Sequence, residues 1–437
     1  MIKKAALLIV TFFIVVAASA QADSTSEHGS FNFSLQECLQ YAMSNSYARQ
    51  SKLLNEESSL ASYEQSKNNR YPSVNASASE TMTHTGSNSD VNFSGNVGIN
   101  ASATIYNGGN IKNTIEQNRL QNEQSKIQTS QYDDNLKIQI LNEYLTALSC
   151  IERLKYQEFI MNSSREELAR GEKQYNLGAM IESDYLMLQA QYQSDVTDSL
   201  NTVISLENSL LNLKNYMSMD PEAELTIKDP DTTAIDEMAL LPTQQETVAK
   251  AKLHMPDMQL AQSTIELANT ALEISKSGRR PSLTASAGIN TGHNDFDNFG
   301  QQLTDRFSQS VGLTLSYPIW DRGATKLQIT KAKIQQQQAE LDYKQTEQEI
   351  TRTVVNQYKA TNLEYQRYLA YQQKKDAYAA SFEAYRMKFN VGSIIAVDLL
   401  QQQNNYINVL NSYINAKYGF ILNRLILDVY TGENVDL

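Results

Sequence analysis

The sequence is poor in the residues that build enzyme sites and rigid frameworks. Its 437 residues hold two cysteines and four histidines, and seven prolines. His28, His84, His254 and His293 are scattered, so no His/Cys/carboxylate cluster has ligand spacing. No glycine-rich loop follows a strand as phosphate binding needs, and no nucleophile, base and oxyanion set is visible. The chain therefore reads as no enzyme, with no cofactor and no metal site. Energy for any transport would have to come from a partner. Past residue 20 no apolar run approaches the ~18 residues that a membrane helix needs, so a membrane span would have to be made of strands.

Positive charge is also scarce. The start Met1-Ile2-Lys3-Lys4, the apolar run Ala5 to Ala17 and the triplet Ala18-Ser19-Ala20 form a secretory signal peptide over residues 1–20, cleaved before Gln21. No cysteine follows the triplet, which argues against a lipid anchor. Without Lys3 and Lys4 the chain has 35 basic against 49 acidic side chains, a net charge of −14. That balance argues against nucleic acid or an anionic bilayer surface as partner, and suits solubility or a pore that favours cations. Export places Cys38 and Cys150 in an oxidising compartment. The expectation for them is two buried, inert thiols rather than a disulfide.

What is present is a duplication. Arg70-Tyr71-Pro72-Ser73 in the first half answers to Arg280-Pro281-Ser282 in the second. Ile105-Tyr106-Asn107-Gly108-Gly109 answers to Ile319-Trp320-Asp321-Arg322-Gly323, and Tyr175-Asn176-Leu177-Gly178 to Phe389-Asn390-Val391-Gly392. The last two pairs share an offset of 214 residues, and Asp184 and Asp398 each follow their glycine by six. No proline interrupts 109–220 or 324–437, where one would cost a helix ~3 kcal/mol. Gly108 to Leu177 and Arg322 to Val391 are both 70 residues, or ~105 Å of helix. Their apolar seam is narrow: between Gln121 and Asn135 the large apolar side chains are Ile127 and Tyr132. Such a seam belongs to coiled-coil contact. Its richness in Tyr, Ala, Ser, Thr and Gln favours a one-layer wall over a solid rod.

The strands alternate. Val91, Phe93, Val97 and Ile99 lead an apolar series at odd positions that runs to Ile105, against Asn92, Ser94, Asn96 and Asn100. Val311, Leu313, Leu315, Tyr317 and Ile319 alternate with Ser310, Gly312, Thr314 and Ser316. Alternating ~10-residue segments suit a membrane β-barrel, although a half-buried soluble sheet reads the same way. Tyr71, Tyr106, Tyr317 and Trp320 cluster where strand meets helix, as aromatics do at a membrane interface. The polar stretches Glu80–Asp90 and Asn290–Arg306 read as outer loops. Four strands cannot close a barrel and an open edge cannot sit in lipid, so the chain must oligomerise. Two copies give eight strands and three give twelve, and a conducting pore favours three because side chains fill an eight-stranded barrel.

The expected organisation is a signal peptide (1–20), an extended segment (21–33) and a first repeat (34–220) with strands about 71–106 and helices 108–177 and 182–218. An irregular connection (221–242) leads to a second repeat (243–432) with strands about 281–320 and helices 322–391 and 396–430, then a tail (433–437).

Y-N-L-G with Asp184, F-N-V-G with Asp398, the R-Y-P-S and R-P-S strand starts and a final helix rich in Asn, Gln and Leu resemble the TolC family of outer-membrane efflux proteins. The resemblance runs from about Ser34 to Gly432 and rests on the order and equal spacing of weak motifs in two halves. It implies a homotrimer with a twelve-stranded barrel in outer-membrane lipid, continuous with a periplasmic helical barrel. It also implies partnership with a periplasmic membrane-fusion adaptor and an inner-membrane RND or ABC transporter. By position, Leu177, Gly178 and Ala179, with Val391, Gly392 and Ser393, would be periplasmic tips where adaptors dock. Asp398 matches a carboxylate lining the aperture. The residue types alone also allow both aspartates to be helix-start acids favoured by the dipole, and for Asp184 that is the reading taken. The family's second carboxylate is Gln401 here, its Arg after the turn is Ile394 and its Tyr before it is Phe389. An apolar contact of Phe389 with Ile394 is the expected substitute for the polar latch.

The function implied is a passive duct exporting small molecules such as drugs, detergents and toxic compounds. A channel for type I protein secretion is the alternative. A non-conducting trimeric coiled-coil protein would need no paired strands in both halves. A periplasmic adaptor would carry lipoyl-like modules flanking one hairpin.

Overall fold

The computed structural model describes residues 30–84, 91–228, 238, 240–294 and 297–435. The signal peptide (1–20), most of the 21–33 segment and part of the 221–242 connection lie outside the described residues.

Both halves use the same parts. The first has α1 (Leu35–Asn45), α2 (Tyr47–Asn68), β2 (Ser73–His84), β3 (Val91–Asn107), α3 (Asn110–Asn176) and α4 (Glu182–Met217). The second has α5 (Gln244–His254), α6 (Pro256–Ser277), β5 (Ser282–His293), the short α7 (Phe299–Asp305), β6 (Ser308–Ser316), α8 (Ala324–Asn390) and α9 (Ala396–Thr431). β1 (Ser30–Phe33) and β4 (Glu224–Ile227) pair in parallel. α3 and α8 are both 67 residues, and α4 and α9 both 36, so each long helix spans ~100 Å. Capping boxes start α1 (Ser34 with Glu37) and α5 (Thr243 with Glu246).

Near the strands the helices pack in file, α2 on α3, α3 on α6 and α6 on α8. Polar side chains join them. Asn122 of α3 donates to Glu56 O and Ser59 Oγ of α2, at 3.2 and 2.9 Å. Gln336 of α8 donates to Asn269 of α6 at 2.8 Å. This accounts for the thin apolar seam, because amides and hydroxyls fill the contact that leucines would otherwise occupy. The main apolar core lies lower. Leu136, Ile140, Leu141, Tyr144 and Leu148 of α3 meet Leu213 and Met217 of α4, Leu410, Ile414, Phe420 and Ile421 of α9, and Leu35 and Cys38 of α1. Both cysteines are free and buried.

The main sheet has the order β2-β3-β5-β6, antiparallel throughout, and among the described residues β2 and β6 have no partner on their outer sides. Residues opposite one another across a ladder share a face. One row is Val74, Ala101, Ala287 and Val311; the next on that side includes Ala76, Ile99 and Ile289. The opposite face carries Ser73, Ser102, Ser286 and Gly312, then Asn75, Asn100, Gly288 and Ser310. Near the helices separate alternations are thus brought into one apolar face, with Val311 89% exposed, while Gln309, Glu80 and His293 lie on the outer end of that face.

Three sequence expectations change. β2 runs through Glu80 to His84 and β5 through Asn290 to His293, so the outer connections are shorter than Glu80–Asp90 and Asn290–Arg306, and the second contains α7. The 221–242 connection is not wholly irregular, since β4 pairs with β1. The register of β3 on β5 shifts between Thr104 and Tyr106, making Ile105 an inserted residue. Tyr106, rather than Ile105, therefore continues the apolar phase opposite Leu283.

Candidate functional site

The residues singled out by sequence fall at two places. One is the end of the hairpins farthest from the sheet, and the other is the end of the sheet where the helices begin.

At the far end both long helices stop by the same device. Gly178 N donates to Tyr175 O at 2.9 Å and Ala179 N to Gln174 O at 2.8 Å. Gly392 N donates to Phe389 O at 3.0 Å and Ser393 N to Lys388 O at 2.9 Å. These are Schellman caps, in which a left-handed residue lets the chain reverse while satisfying the last carbonyls. Gly178 has φ 71° and Gly392 φ 74°, and a Cβ on either would meet nothing within 4 Å. Backbone angle, not crowding, calls for glycine there. Leu177 and Val391 stand 83% and 77% exposed, presenting apolar tips to the surroundings.

Asp184 and Asp398 lie in the first turns of α4 and α9, each half-buried. Neither helix has a side-chain cap at its start, and a carboxylate in the first turn complements the exposed N–H groups. Gln401 is exposed. Phe389 and Ile394 do fall in one apolar cluster, but within the subunit. Phe389 is 4% exposed and belongs to the core with Ala396, Leu399 and Leu400, and Ile394 packs against that same cluster. The Phe389 ring therefore holds its own hairpin together and has almost no surface left to offer another subunit. Tyr175 stacks on Tyr185 across the first hairpin, centroids 5.2 Å apart and planes 6° from parallel.

Set among these apolar contacts is a polar layer that sequence spacing did not reveal. Gln403 of α9 donates to Ser164 Oγ of α3 at 2.9 Å and to Asp195 Oδ2 of α4 at 3.0 Å. Ser164 also donates to Asp195, and Gln191 donates to Asp195 Oδ1 at 2.8 Å. One turn along α3, Glu167 is 1% exposed with neither carboxylate oxygen hydrogen-bonded. Arg386 of α8 donates to Ser163 at 3.0 Å. These residues lie on four helices, and no local motif links them.

At the sheet end, Tyr71, Tyr106, Tyr317 and Trp320 all sit where β2 starts, β3 ends and β6 ends, which the antiparallel order brings to one rim. All four are exposed, Trp320 at 82%. Among the described residues no helix is long and apolar enough to cross a membrane, and no group of three or more His, Cys, Asp or Glu side chains could hold a metal ion.

Long helical hairpins hung from a sheet with exposed apolar rows define a class of outer-membrane transport protein. Residues 39–217 and 247–433 match the family described as Outer membrane efflux protein, and the chain belongs to that family. It is 23% identical to the outer membrane protein TolC of Escherichia coli (strain K12) over 81% of this chain and 75% of that protein. It is 21% identical to the proteases secretion protein PrtF of Dickeya chrysanthemi over 66% of this chain and 62% of that one. Its fold is similar to that of CusC, whose structure describes transmembrane channel formation, with a TM-score of 0.79, 17% identity and 92% of each chain covered. The chain is a TolC-like transport protein of the outer membrane.

Proposed function

We propose that the chain is one of three identical subunits of a passive export duct. Four strands from each subunit would form a twelve-stranded barrel, and the hairpins would continue it as a helical tube into the periplasm. The observation that carries this is the sheet, whose apolar rows are exposed while the outer sides of β2 and β6 have no partner among the described residues. Lipid tolerates the apolar face but not the open edges, so β6 of one subunit must pair with β2 of the next. Three copies leave a lumen, and two would not. Tyr71, Tyr106, Tyr317 and Trp320 would then mark the inner membrane–water interface.

At the far end, Leu177, Gly178 and Ala179, with Val391, Gly392 and Ser393, would meet a periplasmic membrane-fusion adaptor, and Asp398 with Gln401 would line the aperture. Three Asp398 carboxylates around an axis would attract cations. Ile394 would narrow the aperture from its half-buried place against the hairpin core. The duct would work with an inner-membrane transporter of RND or ABC type and export small molecules such as drugs and detergents. The name of PrtF favours a second reading, passage of secreted proteins.

The tests are direct. Light scattering of the detergent-solubilised protein should give three chains, and planar bilayers should show cation-selective channels whose selectivity falls in Asp398→Asn. A monomer, or a trimer without conductance, would refute the duct. Capture of the crosslinked protein with its inner-membrane component separates the cargo readings: an RND pump supports small-molecule efflux, and an ABC exporter that passes polypeptides supports secretion.

A further inference from the structure

The polar layer above the tips contains two side chains with orphaned polar atoms. Glu167 is 1% exposed and neither oxygen has a hydrogen-bond partner, and Gln403, fully buried, leaves Oε1 without one. The amide of Gln403 is already oriented, since Nε2 donates to Ser164 and Asp195. Its free atom is an acceptor, and an ionised Glu167 offers only more acceptors. Burying a carboxylate without partners is costly, and a proton removes the charge that makes it so.

We propose that Glu167 is the proton-binding site of a lock between the two hairpins, closed when the carboxyl is neutral and loosened when it is ionised. The layer is placed for this. Ser164 and Glu167 are one turn apart on α3, Asp195 is on α4 and Gln403 on α9, and Arg386 reaches Ser163 from α8. The layer therefore joins one hairpin to the other just before both turn.

The charges facing Glu167 are Arg386 from α8, Asp195 from α4, and Arg170 and Glu166 from α3 itself, while α9 contributes the neutral Gln403. Arg386 also pairs with Glu383 at 3.3 Å, which divides its field. Burial dominates and pushes the Glu167 carboxyl up to about 7, Arg386 and Arg170 pull it back, and Asp195 and Glu166 push it further. Asp195 is also raised by burial, against the hydrogen bonds from Ser164, Gln191 and Gln403. A carboxyl raised from its ordinary 4.5 to about 7 contributes its stability in full below about pH 4.5 and loses it as pH rises through about 7. The junction should be tight in acid and looser in mild alkali.

Whether loosening opens a channel rests on the duct reading above, so two readouts are needed on the full-length assembled protein. Hydrogen exchange of peptides covering 160–180 and 386–404, corrected for intrinsic rates, should slow about tenfold from pH 8 to pH 5.5. Its midpoint should be near neutrality. Glu167→Gln should hold the slow, acid-like exchange at every pH. Arg386→Gln should move the midpoint upward, which keeps the test open if Glu167→Gln assembles poorly. Channel open probability should follow the same midpoint. If Glu167→Gln keeps the wild-type exchange profile, or if Arg386→Gln leaves the midpoint in place, the proton site is wrong. If exchange responds and conductance does not, the proton site stands and the tip-gate reading fails.

Discussion

Leu188 of α4 reaches into the space that Gly171 of α3 leaves open. A Cβ on Gly171 would stand 2.5 Å from Leu188 Cδ1 and 3.4 Å from Met180 Sδ. The two arms of the first hairpin thus approach closely about two turns before they reverse. Gly171→Val should overpack this contact and cost ~1–3 kcal/mol. Adding Leu188→Ala should recover most of that loss, read as the midpoint of helix melting by circular dichroism. Failure of the second change to rescue the first would show that the contact does not set the spacing.

The sheet makes a two-sided prediction. Leu313 and Thr314 are neighbours in β6, on the apolar and polar faces respectively. Leu313→Arg should cost ~2–4 kcal/mol if its side chain faces lipid near the bilayer centre, cutting the amount of folded protein recovered from outer membranes. Thr314→Arg should be recovered at close to the wild-type level. Equal recovery of the two variants would contradict a lipid-facing apolar row.

Gly392→Ala isolates backbone strain, because φ is 74° and nothing crowds the added methyl. The cost should be ~1–2 kcal/mol, seen as faster hydrogen exchange around 388–396 while the core is unaffected. Gly392→Asn should cost less, since asparagine tolerates this region.

At the opposite end of α4, acid should free the amino-terminal segment. Lys228 Nζ donates to Glu37 at 2.8 Å and Ser34 N does so at 2.6 Å. These bonds, that of Lys228 foremost, hold the Glu37 carboxyl down to about 2. A depressed carboxyl contributes stability above its ordinary 4.5 and loses it as pH falls toward about 2. Protease cleavage near residues 30–37 should therefore rise across that window in the wild type. Glu37→Gln should be cleaved readily even at neutral pH.

Much of the architecture was legible because its signals are local. The alternation from Val311 to Leu315 needs only a period of two, although β6 stops at Ser316, before the expected Tyr317 and Ile319, and the matched turns at Gly178 and Gly392 need only a left-handed residue after a helix. What the sequence did not show depends on partners. Phe389 reads as a gate residue by its place before the turn, yet it is buried in the same apolar core as Leu399 and Leu400. A helix with a thin apolar seam does not declare which face is inward. Glu167, Asp195 and Gln403 had no signal at all, since each is an ordinary polar residue on a polar helix and meets the others only across 28 to 236 positions of chain.

Proline-free stretches, strand alternation and the 214-residue offset determined the kind of molecule: a duplicated chain with two long hairpins and strands suited to lipid. Those features follow from backbone geometry, which acts between near neighbours. Tertiary structure decided the rest. It set the sheet order β2-β3-β5-β6, the bulge at Ile105 that brings Tyr106 into phase, and the burial of a carboxylate between hairpins. Register and burial are properties of surfaces that meet, and a helix or strand acquires them only when its partner is in place.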